Sequence, residues 1–187
     1  SRAERRAARH NDPGDFEAQI RNWRSEGGKG TIWIAVESLY SMDGDFAPLQ
    51  DLAEVADRHD AIFIIDEAHG TGVYGPHGMG LAHELAGRPN IITLHTCGKA
   101  LGTEGALLCA PKIICDFIVN RGRPFIFSTA PSPLMARTVR AALEIVANQP
   151  ERQARLSAHV DQAKARLNAL GLETSPSQII PIIIGDN

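Results

Sequence analysis

An α/β fold, with a mostly parallel sheet flanked by helices, is what this 187-residue sequence predicts, and three observations predict it. Short apolar runs rich in β-branched residues alternate with stretches of helical periodicity. Two of those runs, Ala61-Ile62-Phe63-Ile64-Ile65 and Ile91-Ile92-Thr93-Leu94, read as buried parallel strands. Each closes on chemistry-bearing residues, Asp66-Glu67-Ala68-His69-Gly70-Thr71-Gly72 and Thr96-Cys97-Gly98-Lys99-Ala100-Leu101-Gly102. Such sheets gather their functional groups past the carboxyl ends of the strands.

The elements follow in order. From Asp15, the residues Phe16, Ile20 and Trp23 share one helical face until Gly27-Gly28 stops the helix. Thr31 to Val36 reads as a buried strand, and the polar loop Glu37 to Asp45 follows it. Pro48 opens a second helix with Leu49, Leu52, Ala53 and Ala56 inward, because proline suits a first turn. After the strand ending at Ile65 come a loop carrying Gly70, Gly72, Gly75, Gly78 and Gly80, and a short helix near Leu81 to Leu85. The strand from Ile91 leads into the Lys99 loop, and Ala106 to Cys109 is a further strand. Pro131 to Asn148 predicts a helix with Leu134, Val139, Leu143 and Val146 as apolar positions. Beyond Pro150 another helix runs to Leu170, with Leu156, Val160, Ala163, Leu167 and Leu170 inward, and Gly171 closes it. Ile179 to Ile184 predicts a strand, placed at an edge by Pro181 and cut off by Gly185-Asp186-Asn187. Those last residues read as the opening of a second, smaller domain.

Composition narrows the function classes. The formal charge of -3 gives no basic footprint for a nucleic-acid backbone. No apolar run approaches the roughly 20 residues that span a bilayer. The first nine residues, Ser1 to Arg9, read as a solvated surface segment rather than a signal core. Cys97, Cys109 and Cys115 are odd in number and lack metal-ligand spacing, which suits a reducing cytoplasm. Cys97 reads as a small apolar filler beneath the Lys99 loop rather than a nucleophile. His83-Glu84 lacks the second histidine of a zinc-protease helix, and no metal site is predicted.

The two strand ends suit a pyridoxal cofactor. The Lys99 amine can form a Schiff base with its aldehyde, and the Asp66 carboxylate can keep the pyridine nitrogen protonated, which makes the ring an electron sink. Asp-Glu-Ala-His is also the Walker B signature of one class of helicases. Those enzymes need a phosphate loop, Gly-x-x-x-x-Gly-Lys-Ser/Thr. Neither Gly28-Lys29, followed by Gly30, nor Gly98-Lys99, followed by Ala100, fits it.

Longer stretches carry a resemblance. His10-Asn11-Asp12, Ser41-Met42-Asp43-Gly44-Asp45 with Pro48-Leu49, Asp66 to Gly72, Gly75 with Gly78 and Gly80, Thr96 to Gly102, and Arg123-Pro124-Phe125-Ile126-Phe127-Ser128-Thr129 occur in this order, with 33 positions from Asp66 to Lys99. In that pattern the chain resembles the α-oxoamine synthases, a branch of the fold-type-I pyridoxal-phosphate enzymes. Ala68 to Gly72 together with His95 to Lys99 look most like the biotin-pathway branch. The branches that make aminoketobutyrate, aminolevulinate or ketosphinganine are the alternative.

The resemblance implies a cofactor, pyridoxal 5'-phosphate, and a set of roles. Lys99 resembles the Schiff-base lysine, which also removes the substrate α-proton. Asp66 resembles the partner of the pyridinium nitrogen, and His69 the residue that hydrogen-bonds the phenolic oxygen. Ser41 resembles a contact to the ring substituents and Thr96 a phosphate contact. Thr129, or Ser128 in its place, resembles a hydroxyl that reaches the cofactor of a neighbouring subunit, so a homodimer is expected. The implied substrates are an amino acid, L-alanine in the biotin branch, and an acyl thioester on coenzyme A or acyl carrier protein, joined with decarboxylation.

Against the family the chain reads as truncated at both ends. Residues 1–148 are expected to be part of the large cofactor-binding domain of a PLP-dependent transferase. Residues 149–187 are expected to be a linking helix and the first strand of the small C-terminal α/β domain. A non-catalytic fragment that keeps the sheet is the reading from another class, and it predicts no covalent label at Lys99.

Overall fold

The computed structural model describes residues 3–185; the first two residues of the Ser1 to Arg9 segment, and Asp186 and Asn187 after the last predicted strand, lie outside the described residues. Helix α1 (Pro13–Ser25) is capped by the Asp12 side chain, which accepts from the Asp15 backbone N–H, with Pro13 in its first turn. Strand β1 is Trp33–Glu37, helix α2 is Leu49–Arg58, β2 is Ile62–Asp66, β3 is Ile91–Thr96 and β4 is Ala106–Cys109. Between β2 and β3 lie two single 3₁₀ turns, Pro76–Gly78 and His83–Leu85, where the sequence predicts a short helix near 81–85. The remaining helices are α3 (Lys112–Arg121), α4 (Arg123–Ile126), α5 (Pro133–Asn148) and α6 (Glu151–Ala169).

The sheet has the order β1-β2-β3-β4. Its first two pairings are parallel, and β3 with β4 is antiparallel. The predicted mostly parallel sheet is therefore present, with one antiparallel strand at its edge. The register aligns Glu37 with Asp66 and Asp66 with Leu94, so the carboxyl ends of β1, β2 and β3 lie side by side.

The core sits on one face of this sheet. Ile34 and Val36 of β1, Phe63 and Ile65 of β2 and Ile91 of β3 pack with Ile20 of α1 and with Leu49, Leu52, Ala53, Val55 and Ala56 of α2. Full burial of side chains such as Phe63 and Leu52 contributes roughly 1.5–3 kcal/mol each. The four residues predicted inward for α2 are all buried, and Val55 joins them. A charge cluster ties the outer faces of the two helices: Glu17 meets Arg58, His59 and Arg21, and the hydrogen bonds from Arg58 and His59, helped by the Arg21 charge, hold its carboxyl down at about 2.

Three expectations are corrected. The run at 31–36 is not buried throughout, because β1 alternates and Trp33 on its other face is 55% exposed. No helix among the described residues covers that face, so the period-2 alternation of a one-sided sheet appears where a two-sided parallel sheet was expected. The apolar positions of α5 and α6 are not core. Neither helix buries a residue, and Leu134 and Leu170 are 74% and 75% exposed, since no second layer packs on them. The predicted strand at 179–184 is absent. Pro181 has no donor, no backbone of the described residues pairs with the segment, and Ile183 and Ile184 point into solvent. Helix α3, which the sequence reading left out, presents Ile113 and Phe117 outward.

Candidate active site

The adjacent parallel strands β2 and β3 deliver the candidate site. Asp66 is the last residue of β2, and its Oδ1 accepts from the Ala68 N–H at 2.8 Å, which turns the chain sharply out of the strand. The turn projects His69 toward the loop after β3. There His69 Nε2 meets Lys99 Nζ at 2.8 Å. His69 is half-buried and Lys99 exposed. Burial, then the Lys99 charge, lower the His69 pKa, and the Glu37 and Asp66 carboxylates oppose this without reversing it. A neutral His69 is thus favoured, with Nε2 free to accept from the amine.

Hydrogen bonds fix the two loops. Thr96, the last residue of β3, accepts from the Gly98 N–H at 3.4 Å, and Gly102 N–H donates to the Lys99 carbonyl at 3.0 Å. Cys97 lies buried beneath, with N–H to Gly105 and its carbonyl accepting from Thr103, and burial pushes its thiol up. It packs as the filler the sequence predicts. Ser41 is exposed in the 40–45 turn, where its backbone N–H donates to Glu37 Oε2 at 3.3 Å. The Leu39–Phe46 bridge pins that turn, with Tyr40 N–H donating to Asp45 O.

Of the six residues singled out in the sequence, Asp66, His69, Thr96 and Lys99 come together at two neighbouring strand ends. Ser41 lies past the third parallel strand end. Thr129 does not join them: it is exposed between α4 and α5 and takes part in none of these hydrogen bonds.

Three neighbours escaped the sequence reading. Glu67 is fully buried, with Oε2 accepting from Ser38 Oγ at 2.9 Å and Oε1 from the Ala82 N–H at 2.5 Å. Its signal was available, since Gly70 and Gly80 leave room for it: a Cβ on either would overlap its carboxyl group. Gln178 Nε2 donates to the His69 carbonyl at 2.9 Å and its Oε1 accepts from Tyr74 Oη at 2.8 Å. That contact spans 109 residues of sequence, and no local pattern foretells it. His95 was read only as part of the Lys99 motif. Away from these loops, His10, Asp43 and Asp45 bring ligand atoms within 4.8 Å of one another, with His10 and Asp45 already bonded to each other at 2.7 Å.

The fold and the site together define the class. Residues 2–186 match the family model described as aminotransferase class I and II, and the chain belongs to that family. More particular likenesses lie within it. An 8-amino-7-oxononanoate synthase from Citrifermentans bemidjiense is 42% identical over 177 residues, covering 91% of this chain and 45% of the relative. One from Bordetella petrii is 42% identical over 162 residues, covering 84% and 41%. Among solved structures, a serine palmitoyltransferase from S. paucimobilis with a bound PLP–myriocin adduct has a TM-score of 0.85 at 24% identity, covering 96% of this chain and 47% of that one; it attests the fold. An 8-amino-7-oxononanoate synthase from Francisella tularensis has a TM-score of 0.66 at 25% identity, over 87% of this chain and 48% of that one. The chain spans less than half the length of these relatives.

Proposed function

We propose that this chain is the cofactor-centred part of a PLP-dependent acyltransferase of the α-oxoamine synthase type, most like 8-amino-7-oxononanoate synthase. The reaction is then the decarboxylating condensation of L-alanine with a pimeloyl thioester, on coenzyme A or acyl carrier protein, in biotin biosynthesis. The observation that carries this reading is the Lys99–His69 contact at 2.8 Å beside Asp66, at the ends of adjacent parallel strands.

The residues fit the cofactor. An amine, an imidazole and a carboxylate converge at one sheet edge, and one Asp66 oxygen is left outside the local turn. Pyridoxal phosphate supplies an aldehyde that condenses with amines and a ring that draws electrons from the attached carbon. Lys99 would hold that aldehyde through its amine, and the same amine, when free, would be placed to take the substrate's α-proton. Asp66 holds the proton on the ring nitrogen by its negative charge. His69, kept neutral by burial, donates or accepts at the phenolic oxygen and orients the Lys99 amine. Thr96 and Ser41 offer hydroxyls to the phosphate and ring substituents.

Thr129 is exposed, as a residue serving a second subunit's cofactor would be, and a homodimer in the cytoplasm completes this reading. No helix of the described residues is long and apolar enough to cross a membrane. Residues 1–148 form part of the large domain in this reading, and 149–187 begin the small one.

The test is substrate pairing in the full-length protein. Carbon dioxide release and an aminoketone product are expected with L-alanine and pimeloyl thioester. The second reading, another α-oxoamine synthase, draws on the likeness to a serine palmitoyltransferase structure with PLP, 26% identical at a TM-score of 0.81. Turnover with L-serine and palmitoyl thioester, or with glycine and a short acyl or succinyl thioester, would replace the first reading with it.

A further inference from the structure

Two strands carry the candidate site, and one side chain bridges the loop of the first to the body of the second. Thr71, in the loop that carries His69, donates its hydroxyl proton to the Glu67 carbonyl at 2.7 Å. That carbonyl can only accept, so the Thr71 oxygen has only lone pairs left for its other partner, His95 Nδ1 at 2.8 Å. The imidazole must therefore carry its proton on Nδ1. Its Nε2 lies 2.9 Å from Thr93 Oγ1 and, in the neutral ring, accepts that hydroxyl's proton. The polarity of the whole chain is set: Thr93 to His95, His95 to Thr71, Thr71 to the Glu67 carbonyl. Thr71 and Thr93 are buried. Burial also lowers the His95 pKa, opposed by the nearby Glu67 and Asp66 charges, which agrees with a neutral ring.

We propose that His95 is a positioning residue, a single-tautomer fastener that ties the His69 loop to the Lys99 strand and so sets how the imidazole of His69 meets the Lys99 amine. The inference rests on the reading of Lys99 and His69 as the cofactor site. His95 touches neither of them. It acts through Thr71, two residues beyond His69, while its own strand reaches Lys99 four residues later. The backbone hydrogen bonds of the same loop, Gly70 N–H and Thr71 N–H to Glu67 O and Tyr74 N–H to Gly70 O, close a compact turn that this bridge anchors from outside.

The experiment uses the full-length protein with three replacements of His95 and one of Thr71. His95→Asn keeps an N–H donor near the Nδ1 position, His95→Gln places its amide near Nε2, and His95→Phe keeps ring volume with no polar atom. Two readouts are taken. The first is amide hydrogen exchange over residues 70–74 in the cofactor-free protein. The second is the pH profile of borohydride-trapped pyridoxal phosphate at Lys99, the amine that faces His69, with Asp66 and Glu37 the nearby carboxylates.

The expected result is exchange over 70–74 about tenfold faster in the Gln and Phe variants, the size set by losing one net hydrogen bond. The α2 amides should stay unchanged, the pH profile should be displaced in the same two variants, and the Asn variant should stay within about twofold of the parent. Thr71→Val should reproduce the Phe variant, and the two together should cost no more than either alone. Parent-like exchange and profile in the Gln and Phe variants would overturn the inference and leave His95 as core filler. Faster exchange with an unmoved profile would also overturn it, by making His95 structural only. Absence of label at Lys99 in the parent would overturn the cofactor reading separately, and loop exchange would still decide the fastening.

Discussion

Replacing the buried Glu67 tests the account of how the site's first loop is held. Glu67 receives the Ser38 hydroxyl and the Ala82 N–H, and its side chain has no exposed surface. Glu67→Ala leaves both donors buried without an acceptor, at about 1–3 kcal/mol each. The emptied volume adds a cavity cost, so the loss is on the order of 3–8 kcal/mol. Against a typical stability of roughly 5–15 kcal/mol that is a large fraction. Glu67→Gln keeps an oxygen for Ala82, and its amide can donate to a rotated Ser38 hydroxyl, so its cost is about 1 kcal/mol. A second substitution sharpens the test. A Cβ at Gly70 would overlap Glu67 Oε2, so Gly70→Ala is destabilising while Glu67 is present and close to neutral once it is truncated. Urea titration of the four cycle members, all full-length (the parent, Glu67→Ala, Gly70→Ala and the double variant), gives the coupling directly. Equal costs for Ala and Gln at position 67, or additive costs in the Gly70 cycle, would refute the packing described here.

Other outcomes follow from the same geometry. Gly78→Ala should destabilise by about 1–3 kcal/mol, because φ is +68° there and the new Cβ would strike Val146 of α5; Val146→Ala should recover part of that loss in thermal melts. Histidines with depressed folded-state pKa values resist protonation, so His69 and His95 cost nothing above the usual histidine value near 6.5 and progressively destabilise the fold as pH falls below it. Stability measured by urea should decline from pH 7 to 5, and less steeply in His95→Asn; a flat profile would contradict the half-buried neutral rings. Gln178→Ala removes the donor to the His69 carbonyl and should lower kcat by about tenfold with the fold intact, read by steady-state kinetics beside circular dichroism.

The sequence carried the strand ends well because their signals are local. An apolar run closing on Asp66, and another closing on Thr96 just before Lys99, need only the pleat and the α/β rule to predict their convergence. Helix α2 was legible for the same reason: Leu49, Leu52, Ala53 and Ala56 repeat at helical spacing over a face that is covered. The periodicity of α5 and α6 is just as regular, but a period shows which residues share a face and not whether anything covers it, and Leu134 and Leu170 are exposed. The run at Ile179–Ile184 has strand propensity without a partner, and propensity alone makes no ladder. Glu67, His95 and Gln178 escaped because their partners are set by tertiary approach, across 29, 24 and 109 residues.

The most direct test of the central claim is borohydride reduction of the full-length protein with pyridoxal phosphate, followed by peptide mass mapping. Label confined to Lys99, and lost in Lys99→Ala, is the predicted result. No label, or label scattered over surface lysines such as Lys112 and Lys164, would contradict the assignment of this strand-end constellation as a cofactor site.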